Sequence, residues 1–168
     1  VLFRSVCFAW VDLRNAFGSI RHMLVQHCLD RYHFPPSVRR LIFNYYDRLV
    51  AKVLVNADES GSRQFTSPFH YAVGVFQGCV LSPVLFNICF QPLLDSLKAA
   101  SLMGAWSFTF KTSCEPPLKR DISAYADDLE LCSWSTPCCQ ALLDHTDTFM
   151  RGSRTLSANA RKCFAAAM

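Results

Sequence analysis

Two adjacent carboxylates, Asp127 and Asp128, stand between two short apolar runs, and the rest of the fold has to be built around them. The approach is Ile122-Ser123-Ala124-Tyr125-Ala126 and the exit is Leu129-Glu130-Leu131-Cys132. Both runs read as half-buried strands, which puts the acid pair at the turn of a tight β-hairpin. Like charges side by side repel, and each loses solvation if it is buried. A chain holds such a pair beside apolar strands most readily when a cation sits on it. A divalent metal with oxygen ligands fits, since magnesium takes one or two carboxylates plus substrate phosphates. A solvated Asp-Asp turn is the plain alternative, and the tetrapeptide by itself does not choose between them.

A third carboxylate bears on that choice. Phe8-Ala9-Trp10-Val11-Asp12-Leu13 is an apolar run interrupted by one acid. It has strand length and the aromatic and β-branched content of a buried central strand. Asp12 near its end is either a cap for the following helix or a ligand; Ser19 and Asn15 also precede the helical stretch at residues 22–31. Three acids on strand ends are the smallest set able to hold two metal ions over a phosphate.

Four segments together carry a family resemblance. Val11-Asp12-Leu13-Arg14-Asn15-Ala16-Phe17-Gly18-Ser19-Ile20-Arg21-His22 resembles the first palm motif of reverse transcriptases. Gly74-Val75-Phe76-Gln77-Gly78-Cys79-Val80-Leu81-Ser82-Pro83-Val84-Leu85-Phe86-Asn87 resembles the second, Tyr125-Ala126-Asp127-Asp128 the third, and Leu156-Ser157-Ala158-Asn159-Ala160-Arg161-Lys162-Cys163 the fourth. The order and rough spacings match too, and the motifs span residues 8–163. The wording of the first two is most similar to retrotransposons lacking long terminal repeats, the LINE type.

The resemblance implies a polymerase palm over residues 1–168, an α+β fold with an antiparallel sheet and helices packed on one face. The family's fingers and thumb are largely missing from this stretch. It implies RNA-directed DNA polymerase activity, in which a primer 3′-hydroxyl attacks the α-phosphorus of a deoxynucleoside triphosphate. Asp12, Asp127 and Asp128 would hold two Mg2+ ions, with Mn2+ as a substitute, and RNA template and DNA primer would be the partners. Phe17 matches the aromatic gate under the incoming sugar, although one phenylalanine among 14 is more often a core residue. Gln77 and Gly78 match the nucleotide-binding turn before a helix, where glycine permits close backbone approach. Lys162 would stabilise or protonate leaving pyrophosphate, against the plainer reading of a solvated lysine in a basic tail. Two further readings stand beside this one. One is a catalytically inactive or domesticated fragment that folds or binds nucleic acid. The other is a template-free cyclase, against which the Gln77-Gly78 and Leu81-Ser82-Pro83 wording speaks.

Composition narrows the alternatives. At 168 residues, with 51% apolar and 18% charged, the chain is long enough for one well-buried domain and too short for a multi-domain polymerase. It begins at Val1 with a core strand close behind, from which we expect no signal peptide, an excerpt or truncated product, and an intracellular location, nuclear or cytoplasmic. Residues 64–94 carry no Asp, Glu, Lys or Arg, but three prolines and several polar residues interrupt them, so no membrane span is expected. The nine cysteines contain no Cys-x-x-Cys pair, which argues against structural zinc and for small core residues in a reducing compartment. Net charge is +4, and Arg151, Arg154, Arg161 and Lys162 near the end account for an equal excess. No Walker loop, dinucleotide fingerprint or nucleophile elbow is present.

The periodicity predicts helices at residues 22–31 and from Ser37 onward, the latter with Val38, Leu41, Ile42, Tyr45 and Leu49 on one face. A third runs over residues 83–100 with a kink at Pro92, and a fourth over 136–152 is capped by Thr136. Strands are expected at residues 52–55, 69–73, 107–111 and 122–133, with polar loops at 56–62 and around Pro116-Pro117.

Overall fold

A computed structural model describes residues 6–57, 61–104, 108–110, 118–120 and 122–167. The first half runs β1 (Cys7–Asp12), α1 (Ala16–Ser19), α2 (His22–Arg31), α3 (Pro36–Asp47), β2 (Val50–Ala51), β3 (Leu54–Ala57), β4 (Arg63–Phe65) and β5 (Phe69–His70). The second half runs α4 (Leu81–Gly104), β6 (Phe108–Phe110), β7 (Leu118–Arg120), β8 (Ile122–Tyr125), β9 (Asp128–Ser133), α5 (Thr136–Ser153) and β10 (Phe164–Ala167).

One antiparallel sheet, in the order β10-β1-β9-β8, forms the centre. Side chains alternate between its faces, and residues opposed across a ladder share a face. Cys7, Ala9, Val11 and Leu13 therefore point one way with Leu129 and Leu131, and all six are at most 5% exposed. α4 and α5 cover that face, and α2 packs on α4. Phe8, Trp10 and Asp12 point the other way, with Asp128 and Glu130 opposite. The expected architecture is thus observed, a mixed helical and antiparallel fold with the helices on one side.

α4 supplies most of the covering layer. Leu85, Phe86, Cys89, Phe90, Leu93 and Leu97 recur at helical spacing and are nearly or fully buried. Each such leucine or phenylalanine stabilises the fold by about 1.5–3 kcal/mol relative to exposure. α2 contributes Val25, Cys28 and Leu29, and α5 contributes Cys139, Leu142 and Met150. Thr146 is buried on the same stripe because its hydroxyl donates to the Leu142 carbonyl at 2.8 Å.

Several expectations are corrected. α3 buries Ile42 and Tyr46, while Val38, Leu41 and Tyr45 stay exposed. The Tyr46 ring rests on His22 of α2 with ring centroids 4.7 Å apart. α5 is capped by Ser135, not Thr136, the serine side chain accepting from the Cys138 amide at 3.4 Å. Neither Asn15 nor Arg21, the residues preceding α1 and α2, makes a side-chain cap. α4 starts two residues before Pro83 and runs through Pro92 to Gly104. Of the strand expected at 52–55 only residues 54–55 are extended, within β3, while residues 52–53 separate β3 from β2; Asn56 and Ala57 belong to β3 and not to a loop, and β5 has two residues only. β10, closing the sheet beside β1, was not expected. The loop at Pro116-Pro117 lies outside the described residues. No helix among the described residues is long and apolar enough to cross a membrane, and the eight described cysteines are free thiols.

Candidate active site

The hairpin linking β8 to β9 turns in two residues, Ala126 and Asp127. Ala126 has φ 52, as such turns require where their twist must match that of the strands. An alanine in this region costs about 1–2 kcal/mol, so the flanking ladder has to hold it there. One further bond helps: the Asp127 carbonyl accepts from the Leu13 amide at 3.1 Å, tying the turn to the end of β1.

That tie sets the register that matters. Asp12, the last residue of β1, lies directly opposite Asp128, the first of β9. Directly opposed residues have Cβ atoms about 4.5–5.5 Å apart on one face, close enough for one cation to touch both carboxylates. Asp127 belongs to the adjoining turn. Carboxylate oxygens are the right donors for a hard divalent ion. Among the described residues, however, no three Asp, Glu, His or Cys side chains gather around one point. The fit is therefore that of an acid pair on the sheet, with the third acid beside it.

A second segment closes on Asp12 from the other side. The chain after α5 folds over the end of β1: Arg14 N donates to Ser157 O at 2.8 Å, Asn159 N donates to Asp12 O at 2.8 Å, and Leu13 bridges Ala158. The turn continues with Lys162 N donating to Asn159 O at 2.8 Å. This brings the Lys162 ammonium to 3.5 Å from Asp12 Oδ1. Lys162 is 67% exposed and Asp12 15%, so a screened lysine guards a largely covered carboxylate.

Asp12, Asp128 and Lys162 line one cleft of about 420 Å³ with Trp10, Tyr125, Glu130 and Phe164. Sequence reasoning had not singled out Glu130, Trp10 or Phe164 for the site. Glu130 was findable, since it follows Asp128 by two residues in a strand. Phe164 was not, because its position depends on β10, which stacks it on Trp10 with ring centroids 4.5 Å apart.

Phe17, Gln77, Gly78 and Asp127 do not line this cleft. Phe17 stacks on Phe86 of α4 at 5.0 Å, a contact that fixes the ring. Its backbone belongs with the second motif: Val75 N donates to Phe17 O and Gly74 N to Ile20 O, both at 2.8 Å. Gly74 has φ 96, and a Cβ there would meet the Gly18 carbonyl at 2.9 Å, so only glycine allows this approach. Gln77 and Gly78 follow as an exposed turn, with Gly78 at φ 88. Next to them, the backbone of Leu81 at the start of α4 holds the Cys79 thiol below the usual range, helped by Tyr45 and Ser82.

Comparisons with known proteins cover nearly the whole chain. A family model for reverse transcriptase (RNA-dependent DNA polymerase) matches residues 3–167. The retrovirus-related Pol polyprotein from type-2 retrotransposable element R2DM of Drosophila melanogaster is 33% identical over 162 residues, 96% of this chain and 14% of that protein. The transposon TX1 uncharacterized 149 kDa protein of Xenopus laevis is 28% identical over 127 residues, 76% of this chain and 9% of that protein. The chain thus spans a small part of the length of these relatives. Apo telomerase from Candida tropicalis, truncated from its C-terminal domain, superimposes with a TM-score of 0.68 at 9% identity, over 99% of this chain and 31% of that one. Telomerase from Candida albicans in complex with a fragment of telomeric RNA gives 0.56 at 11% identity, over 96% and 27%. At such identity the likeness is one of fold.

Proposed function

The chain belongs to the reverse transcriptase family, in the branch of retrotransposons without long terminal repeats, and on that premise we propose that residues 1–168 are the catalytic palm of an RNA-directed DNA polymerase. The observation that carries this reading is Asp12 facing Asp128 across one ladder, with the Asp127 turn bonded to the same strand end. The reaction is nucleotidyl transfer on an RNA template, from a deoxynucleoside triphosphate to the 3′-hydroxyl of a DNA primer, with pyrophosphate leaving.

Each residue has a part in it. Asp12, Asp127 and Asp128 would hold two divalent cations, Mg2+ with Mn2+ as a substitute, Asp12 and Asp128 facing each other across the ladder and Asp127 standing at the adjoining turn. Bound cations of this kind lower the pKa of an attacking hydroxyl and neutralise leaving phosphates. Lys162 stands 3.5 Å from Asp12, so its ammonium can pass from that carboxylate to the departing pyrophosphate. Phe17, held flat against Phe86, excludes a ribose 2′-hydroxyl by sterics and selects deoxynucleotides. Gln77 and Gly78 offer backbone at the start of α4, where amides and helix dipole favour phosphate. An intracellular site of action, nuclear or cytoplasmic, goes with this activity. No observation favours the non-catalytic reading over it.

Primer extension on an RNA template, by the full protein that contains this chain, tests the assignment. Asp127→Ala should lower turnover about 10²–10³-fold or more, the scale at which loss of one electrostatic group in a catalytic site is felt. A variant that extends primers at the unmodified rate sinks it.

A further inference from the structure

On the helix-covered side of the sheet, sharing no residue with the acidic cleft, two cavities run into each other. The larger, about 670 Å³, lies between α2, the middle of α4 and the end of α5; Arg21, Arg31 and Arg154 line it with Met23 and Phe149. The second, about 520 Å³, shares Arg21, Met23 and Arg154 with the first and ends at Gly18 and Ser19 of α1. Together they make one groove from the short helix that carries Phe17 to the far end of α2.

Its charge is one-sided. Neither cavity is lined by an aspartate or glutamate. Arg21, Arg31 and Arg154 are all exposed, and among the described residues neither Arg21 nor Arg154 forms an ion pair. Two other helix arginines are matched: Arg39 of α3 pairs with Asp30 of α2, and Arg151 of α5 with Asp147. Arg154 also occupies the left-handed position that ends α5, at φ 51, where glycine is the usual and less strained choice. Arg31 has the Asp95 carboxylate of α4 within electrostatic reach, but Arg21 and Arg154 have no such partner among the described residues. Guanidinium groups left so repel each other, and an anion between them turns that repulsion into attraction.

We infer that this groove binds the phosphate backbone of a single nucleic-acid strand, on the face opposite the acids. Guanidinium forks suit phosphate oxygens in bidentate geometry. Between them, Met23, 80% exposed, and the half-buried Phe149 offer apolar surface to a base or sugar. An acidic peptide would find the charge but would not need the apolar floor. The choice of a nucleic-acid occupant rests on the polymerase reading; the groove and its charge do not. A strand seated there leaves the acidic cleft free, so one molecule could hold a second segment of template or product while it extends a primer.

The test reads binding and not turnover, so it stays informative if the chain proves unable to polymerise. A mixed-sequence 20-nucleotide RNA, labelled at one end, is titrated with the chain by fluorescence anisotropy at several salt concentrations. Arg21→Gln together with Arg154→Gln should weaken binding at least tenfold at low salt. The slope of log K against log salt should fall by about 1.4, near 0.7 for each charge removed from a single-strand contact. In parallel, the unmodified chain is exposed to dilute hydrogen peroxide with and without RNA, and methionine sulfoxide is read by peptide mass spectrometry. RNA should slow oxidation of Met23 several-fold while Met150, 4% exposed, serves as the internal standard. Three results overturn the proposal: no RNA binding, Met23 oxidised at the same rate under saturating RNA, or equal protection by millimolar pyrophosphate, which would replace the strand with a small anion.

Discussion

The central sheet and the outlying strand pairs are built from similar residues and behave oppositely. In β1 and β9, every second side chain is buried under α4 and α5. In β2, β3 and β4 the large apolar residues stay in solvent: Val55 is 67% exposed, Phe65 53% and Val50 52%. The difference lies in what covers them. Among the described residues β2 pairs only with β5 and β3 only with β4, and two-stranded pairs without a packed face are marginal in water. An apolar strand becomes core only when its pleat and a helix stripe meet. Where they meet, the opposite face is left rigid and open, and there the acids sit.

The largest break in this contrast comes from the covered face. Leu129 is fully buried, and Leu129→Ala should cost about 2–5 kcal/mol in urea denaturation of the chain. Val55→Ser, on an exposed pair, should stay within about 0.5 kcal/mol. Equal costs would mean that the outlying pairs carry as much of the fold as the centre does. Gly74→Ala is next. With φ 96 and the Gly18 carbonyl in the way, it should cost about 1–3 kcal/mol and loosen α1 from the Gly74–Val75 segment. Hydrogen exchange should show the Val75 amide losing protection, and an unchanged rate would contradict that tie. Lys162→Ala should have the smallest effect on stability. Its ion pair is 67% exposed on the lysine side, so solvent screening leaves under about 1 kcal/mol, erased by high salt. A loss above 2 kcal/mol would show that the loop over Asp12 depends on the charge.

Legibility in the sequence followed the range of each interaction. The hairpin at Asp127-Asp128 and the strand ending at Asp12 were readable because the pattern of apolar and polar residues is local. α2 was placed at residues 22–31 for the same reason. β10 was missed because Phe164–Ala167 has no alternation to read and is a strand only through pairing with β1, some 150 residues earlier. The spacing from Ser37 onward predicts one apolar stripe, Val38, Leu41, Ile42, Tyr45 and Leu49, whereas α3 buries Ile42 and Tyr46, the latter against His22 of α2, a contact between helices that local spacing does not carry. The cap of α5 shifted by one residue because Ser135 and Thr136 are both competent and the chain direction entering the helix selects the serine. Lys162 came from resemblance alone. Its approach to Asp12 is made by backbone bonds of Arg14 and Asn159, which leave no trace in side-chain chemistry.

The most direct measurement is a Mn2+ titration of the chain followed by electron paramagnetic resonance, with Asp12→Asn and Asp128→Asn beside the unmodified protein. If the two carboxylates opposed across β1 and β9 share a cation, the free chain takes up Mn2+ and each single substitution weakens binding at least about tenfold, the least that loss of even a group supporting a ligand costs a metal site. Unchanged Mn2+ uptake by either variant would mean that the facing acids do not form one site.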